Sequence, residues 1–239
     1  MRTWMIIFCL LFVQITVAQS VDSIIALNMA ARGGEDMFER VETFVAIGTM
    51  STPNREVSVK LLYKNTGLYR LDMQVQDKQT SRIYNANTGQ GWIVDSIENT
   101  NRWRPLFGAA LLDFKEQLDC FWPYYDYKHN KERITYLGID KVQNITCYKL
   151  RIVLPSGHML FQYIDLNSHL VIKQRYTGFS DNKYSIVEEL ISGYREVDGF
   201  YFPHVYDRHS DGDHAVLIIH GIVLNRPLDD KLFTPDMQR

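Results

Sequence analysis

Two neighbouring segments with a period of two constrain this 239-residue chain more than anything else in it. In EVSVKLLYK, Val57, Val59, Leu61 and Tyr63 alternate with Glu56, Ser58, Lys60, Leu62 and Lys64. In LYRLDMQVQ, Tyr69, Leu71, Met73 and Val75 alternate with Arg70, Asp72, Gln74 and Gln76, and Asn65-Thr66-Gly67 lies between the runs. Side chains two apart share one face of a strand, so this period predicts a hairpin with one apolar and one polar face. A lone hairpin is barely stable in water, so these strands must belong to a larger antiparallel sheet whose apolar side is covered.

The remaining chain supplies both the sheet and the cover. SVDSIIALNMAA predicts a helix capped by Ser20 or Asp22 and stopped by Arg32-Gly33-Gly34, with a short helical turn from Glu35 to Arg40. Val41 to Ser51 reads as a strand, and Thr80 to Asn85 and Gly91 to Asp95 add short ones. GAALLDFKEQLDCF then changes the period: Leu111, Phe114, Leu118 and Phe121 fall at helical spacing, which predicts a central amphipathic helix, followed by the aromatic cluster WPYYDY. From ERITYLG onward the chain is strands joined by polar turns. TCYKLRIVL places Tyr148, Leu150, Ile152 and Leu154 on one face, and HMLFQYID, HLVIKQRYTG and residues 182–197, 199–207 and 213–224 continue a meander. In REVDGFYFPHVYD, Asp198-Gly199 is a tight-turn signal, and Pro203, which cannot donate to a ladder, marks an edge or bulge. The expected fold class is mainly β (α+β), an antiparallel sheet large enough to curl, in a single domain from residue 19 to 239.

Residues 1–18 read as a cleaved export signal: Arg2, the apolar run WMIIFCLLFV, then small residues up to Ala18. A net charge of −2 gives no basic field for nucleic acid. Cys120 and Cys147 remain after cleavage, either bonded to each other in an oxidising compartment or as two buried thiols. No nucleophile elbow, zinc-protease helix or P-loop occurs, GQGW is followed by no helix, and Glu188-Glu189 point to opposite faces of a strand. No catalytic residue, cofactor or metal site is therefore expected. The region DRHSDGDH, with His204, His209, His214 and His220 near Asp207, Asp211 and Asp213, matches no known ligand spacing and reads as a solvated turn. The apolar faces of sheet and helix allow two readings: a filled core, or a cavity that accepts acyl chains.

A family resemblance bears on that choice. The order of export signal, helix ending in Gly-Gly, long strands, central helix and β meander resembles the LolA/LolB-like outer-membrane lipoprotein-sorting family, in particular its Bacteroidota-type periplasmic members. The pieces that carry it are ALNMAARGG, Gly91-Trp92 after an Asn-Thr-Gly turn, YLGIDKVQNITCYKLRI, FQYIDLNSHLVIKQR, GYREVDGFYFPHVYD and LNRPLDDKLFTP, which cover most of the chain. The resemblance implies an open half-barrel of about eleven antiparallel strands with helices packed on its concave face and lipid between them. It implies a cavity wall of Val59, Leu61, Leu71 and Met73, a plug of Leu111, Phe114 and Leu118, and Trp92 and Trp122 nearby. The function implied is a monomeric, non-catalytic periplasmic carrier of lipid or lipoprotein acyl chains. The alternative is a cell-envelope interaction module with a filled core whose exposed edge strand binds a partner protein.

Overall fold

The computed structural model describes residues 20–95, 103–121, 124, 129–180 and 183–235. The expected export signal and Trp122 lie outside these residues.

Ser20 caps α1 (Val21–Ala31), its hydroxyl accepting from the Ser23 N–H at 3.1 Å. After α2 (Met37–Arg40) the chain enters a sheet and moves steadily outward: β1 (Thr43–Thr52), β2 (Arg55–Lys64), β3 (Leu68–Val75), β4 (Lys78–Asn85), β5 (Gln90–Asp95) and β6 (Arg104–Leu106) each pair with the strand before. The chain next forms α3 (Gly108–Phe121) and reappears at the opposite edge as β7 (Ile134–Val142). From there β8 (Ile145–Val153), β9 (Met159–Asp165), β10 (Val171–Ser180) and β11 (Lys183–Ser192) return toward the middle. A separate hairpin, β12 (Arg195–Val197) and β13 (Phe200–Phe202), interrupts the return before β14 (Val205–Ser210) and β15 (Asp213–Leu224) complete it. β15 pairs with β1, giving, among the described residues, one open antiparallel sheet of 13 strands with β6 and β7 as its edges. This is the mainly β, open half-barrel expected, with two strands more in the sheet than the approximate count the resemblance implied.

The alternation does what its period requires. Val59 lies opposite Met73 and Leu61 opposite Leu71, so the apolar residues of the β2–β3 hairpin share one face. That face is concave and holds the main core, where Ile24, Ile25 and Met29 of α1 meet Phe44, Leu150, Ile152, Leu160 and Ile164. The polar face departs from expectation at Leu62, which is buried rather than wet. Phe233, on the 3-10 turn Asp230–Phe233, folds back over the outer side of the sheet and covers Leu62, Leu68 and Ile83. Cys147 is a free, buried thiol whose Sγ donates to the Ile145 carbonyl at 3.5 Å.

The REVDGFYFPHVYD segment is a turn with a docking task. Asp198 and Gly199 have φ of +50° and +85°, as a two-residue hairpin turn demands. Pro203 separates β13 from β14. The hairpin rests on the end of α1: the Tyr201 N–H donates to the Arg32 carbonyl at 2.9 Å, and the Arg40 guanidinium lies 4.8 Å from the Phe200 ring centroid. Gly33, at φ +117°, is needed there twice over, because a Cβ would also collide with the Gly199 carbonyl oxygen and the Phe200 ring. Gly33→Ala is expected to lower unfolding stability by about 2 kcal/mol or more in denaturant titration, whereas the same change at the exposed turn residue Gly89, where a Cβ meets nothing, costs less.

Candidate functional site

The sheet alone would leave its concave face open on the side of β1–β5. Helix α3 crosses that face and is tied to both walls. Its apolar side, through Phe114 and Leu118, packs on Tyr84 and Leu106, with Leu111 and Leu71 beside them. The fit is close at Gly91, where a Cβ would press into Leu111 Cδ1. Its other side reaches the returning strands: Asp113 Oδ1 accepts from the Phe179 N–H of β10 at 2.8 Å, and Glu116 lies 2.9 Å from His158 Nδ1, just before β9.

Beneath the helix is a cavity of about 250 Å³. Val59, Leu61, Leu71 and Met73 form one wall. Ala215, Leu217 and Ile219 of β15, with Ala46 and Met50 of β1, form another, and Phe114 and Leu118 of α3 form the roof. Six of the nine residues implied by the family resemblance thus meet around one space. Leu111 packs behind the roof rather than on the cavity. Trp92 does not line it: Trp92 is paired with Ile83, whose side chain belongs to the outer cluster under Phe233, so the indole faces away. A space of about 450 Å³ lies on the outer side between the sheet and the C-terminal segment, but Lys60, Arg70, Asp72 and Arg226 share its lining. The inner cavity is the smaller of the two, and α3 lies over it.

One end of the cavity is polar, and this was not expected. Arg208, Glu189, Gln174 and Gln162 are direct cross-strand partners on β14, β11, β10 and β9, so one row of side chains runs across the concave face. Arg208 Nε donates to Glu189 Oε1 at 2.6 Å, Gln174 Nε2 to Glu189 Oε2 at 2.5 Å, and Tyr176 Oη to Glu189 Oε1 at 3.2 Å. Gln162 Nε2 donates to Gln174 Oε1 at 3.5 Å, and Gln162 Oε1 accepts in turn from Tyr124 Oη at 2.5 Å. Glu189 is almost wholly buried, yet both its oxygens are satisfied, which is what permits a carboxylate in an apolar wall. Glu188, next along the strand, points outward to Lys173 at 2.9 Å.

Arg82 reaches the cavity from β4, and its Nε is buried without a hydrogen-bond partner among the described residues. Asp113 lies near enough to feel that charge. Burial pushes the Asp113 carboxyl above the usual range, against the opposing effects of the Phe179 N–H and Arg82. Burial likewise holds the Tyr206 phenol protonated far past its ordinary range and raises Tyr194 to about 12, so neither is a proton donor or acceptor near neutral pH.

Of the histidines, His204 is buried with Nδ1 2.9 Å from the Phe202 carbonyl oxygen, and His220 Nε2 lies 2.9 Å from Thr49 Oγ1. His209 and His214 come together with Asp207 on the outer face. None of these four lines the cavity.

Two outcomes follow for the site. Glu189→Ala leaves Arg208, Gln174 and Tyr176 without their shared acceptor and is expected to lower stability by about 2–3 kcal/mol in chemical denaturation. Because the folded Asp113 carboxyl is raised, ionising it opposes folding. The penalty is absent in acid, where folded and unfolded states both hold the proton, and is complete once pH exceeds the folded value. Asp113→Asn, which keeps an acceptor for Phe179, is therefore expected to raise the melting midpoint at pH 7, with the gain shrinking as pH falls through the carboxylate range.

No protein-family model matches the sequence, and no curated protein does. The fold, by contrast, has close counterparts. A LolA superfamily protein from Nitrosomonas europaea superposes with a TM-score of 0.60 at 13% identity over 92% of this chain and 100% of its own. A domain described as an outer membrane lipoprotein-sorting protein from Vibrio parahaemolyticus gives 0.55 at 12% identity over 88% and 94%. A DUF1329 family protein from Desulfovibrio piger gives 0.50 at 13% identity over 90% and 97%. The chain therefore has the LolA-like half-barrel fold.

Proposed function

We propose that this protein is an exported, non-catalytic carrier that holds an acyl chain of a lipid or lipoprotein in the cavity under α3 and moves it through the periplasm. The observation that carries this reading is the cavity itself: a partly open space with largely apolar walls from β1–β3 and β15, beneath a helix of which Phe114 and Leu118 form the inner surface. A volume of about 250 Å³ corresponds to roughly eight waters. Eight buried methylenes contribute about 6 kcal/mol before the cost of ordering the chain. One chain segment, not several, fits that space.

The polar end gives the guest a direction. Arg208 is already engaged by Glu189, whereas the buried Nε of Arg82 has no acceptor among the described residues and supplies a partner for an ester or acidic head at the chain's end. The N-terminal sequence pattern and the sorting proteins that share the fold support export to the periplasm.

A second reading, the envelope interaction module, has one observation in its favour. The edge strand β7 leaves Leu137 and Ile139 exposed, at 45% and 54%, where a partner strand could add. The two readings separate in a displacement assay with a fluorescent fatty acid. Leu71 is only half-buried, so Leu71→Arg can place a charge in the cavity while the sheet persists. The carrier reading expects saturable binding by the native chain and at least a tenfold loss in Leu71→Arg with an unchanged circular dichroism spectrum. Equal binding by both forms, or none by the native chain, favours the module.

A further inference from the structure

The β14–β15 hairpin carries a second cluster, on the face of the sheet turned away from the cavity. Its turn residues Asp211 and Gly212 have φ of +44° and +91°, Ser210 lies opposite Asp213, and His209 lies opposite His214. Ladder bonds alternate away from such a turn, which makes the His209–His214 pair a non-hydrogen-bonded one, the kind whose side chains stand closest. The two imidazoles are stacked, centroids 4.5 Å apart and planes within 9°. Asp207, two positions along the same face of β14, brings Oδ1 to 2.7 Å from His214 Nε2 and 3.1 Å from His209 Nε2. One ligand atom from each residue lies within 4.8 Å of the other two.

We infer that Asp207, His209 and His214 form a three-ligand site for a divalent cation of the zinc class. Ligand atoms about 2.0–2.1 Å from a tetrahedral ion stand roughly 3.3 Å from one another. Small rotations of side chains that are already partly exposed open the observed carboxylate–imidazole separations to that value. Two imidazoles and one carboxylate suit zinc, copper(II) or nickel(II) and not calcium or magnesium, which take oxygen ligands. The fourth position faces solvent and is left to water. The neighbouring acidic groups are neutralised elsewhere: Glu188, opposite His209 on β11, is held by Lys173 at 2.9 Å, and Asp211 by Lys183 at 2.9 Å. Three outward residues of one hairpin therefore carry the site without help from the rest of the sheet. Its effect would still be felt inside, because the same strands turn Tyr206, Arg208, Ala215 and Leu217 into the cavity. An ion joining β14 to β15 clamps one cavity wall from behind. The inference does not depend on what the cavity holds.

The test is calorimetric titration of zinc chloride into the tag-free chain from residue 19 onward, followed by thermal unfolding with and without the ion. One ion per chain with micromolar affinity is expected, and a rise in melting midpoint of roughly 5–10 °C at a hundredfold excess over Kd. His209→Ala and His214→Ala, both at exposed positions, should each weaken binding at least tenfold while leaving the metal-free midpoint in place. His220→Ala, on the same strand but bonded to Thr49, should bind as the native chain does. Absence of saturable binding overturns the site, as does binding that survives both hairpin variants or falls equally with His220→Ala.

Discussion

The structure depends on one crossing. The first strands leave the middle of the sheet and end at the β6 edge, and the returning strands start at the β7 edge, so the chain must travel from one side of an open sheet to the other. It does so through α3, over the concave face. The helix satisfies two demands at once. Phe114 and Leu118 bury an apolar stripe against β3–β5, and Asp113 and Glu116 reach polar partners at β10 and before β9. A helix fixed to both walls roofs the concavity without descending into it, and the cavity is what lies between.

The second element of the design is the row of polar side chains from Arg208 to Tyr124. A charged group in such a wall is tolerated only when each lone pair and proton has a partner, and Glu189 has three donors. The row stands between the cavity on the β1–β3 side and the packed core beneath α1 and the β12–β13 hairpin. That division explains how one sheet can be both well filled and partly hollow.

The sequence made the fold readable where period and turn chemistry are local. The Val57–Tyr63 and Tyr69–Val75 alternations, the Ser20 cap, the Gly33-Gly34 stop, the helical spacing of Leu111, Phe114 and Leu118 and the Asp198-Gly199 turn all correspond to observed elements. What depends on distant pairing was not readable. Leu62 carries no sign that Phe233, far along the chain, will cover it. Trp92 follows a glycine that faces α3, so it must face outward, but that parity is fixed only once Leu111 is seen against Gly91. Glu189, Gln174 and Gln162 look like the ordinary polar members of three strands, and only register brings them into one row. His209 and His214 illustrate the same point: five apart in sequence, they fit no familiar ligand spacing, yet a two-residue turn makes them direct neighbours.

The central claim is that the space under α3 is filled by a guest and not by the protein. Native mass spectrometry of the chain purified from the envelope of its own host, in a detergent-free buffer, tests this most directly. The account predicts a population heavier than the polypeptide by the mass of one acyl-bearing molecule, released on mild collisional activation. A single population at the bare polypeptide mass, with unchanged spectra after incubation with fatty acid, would contradict it.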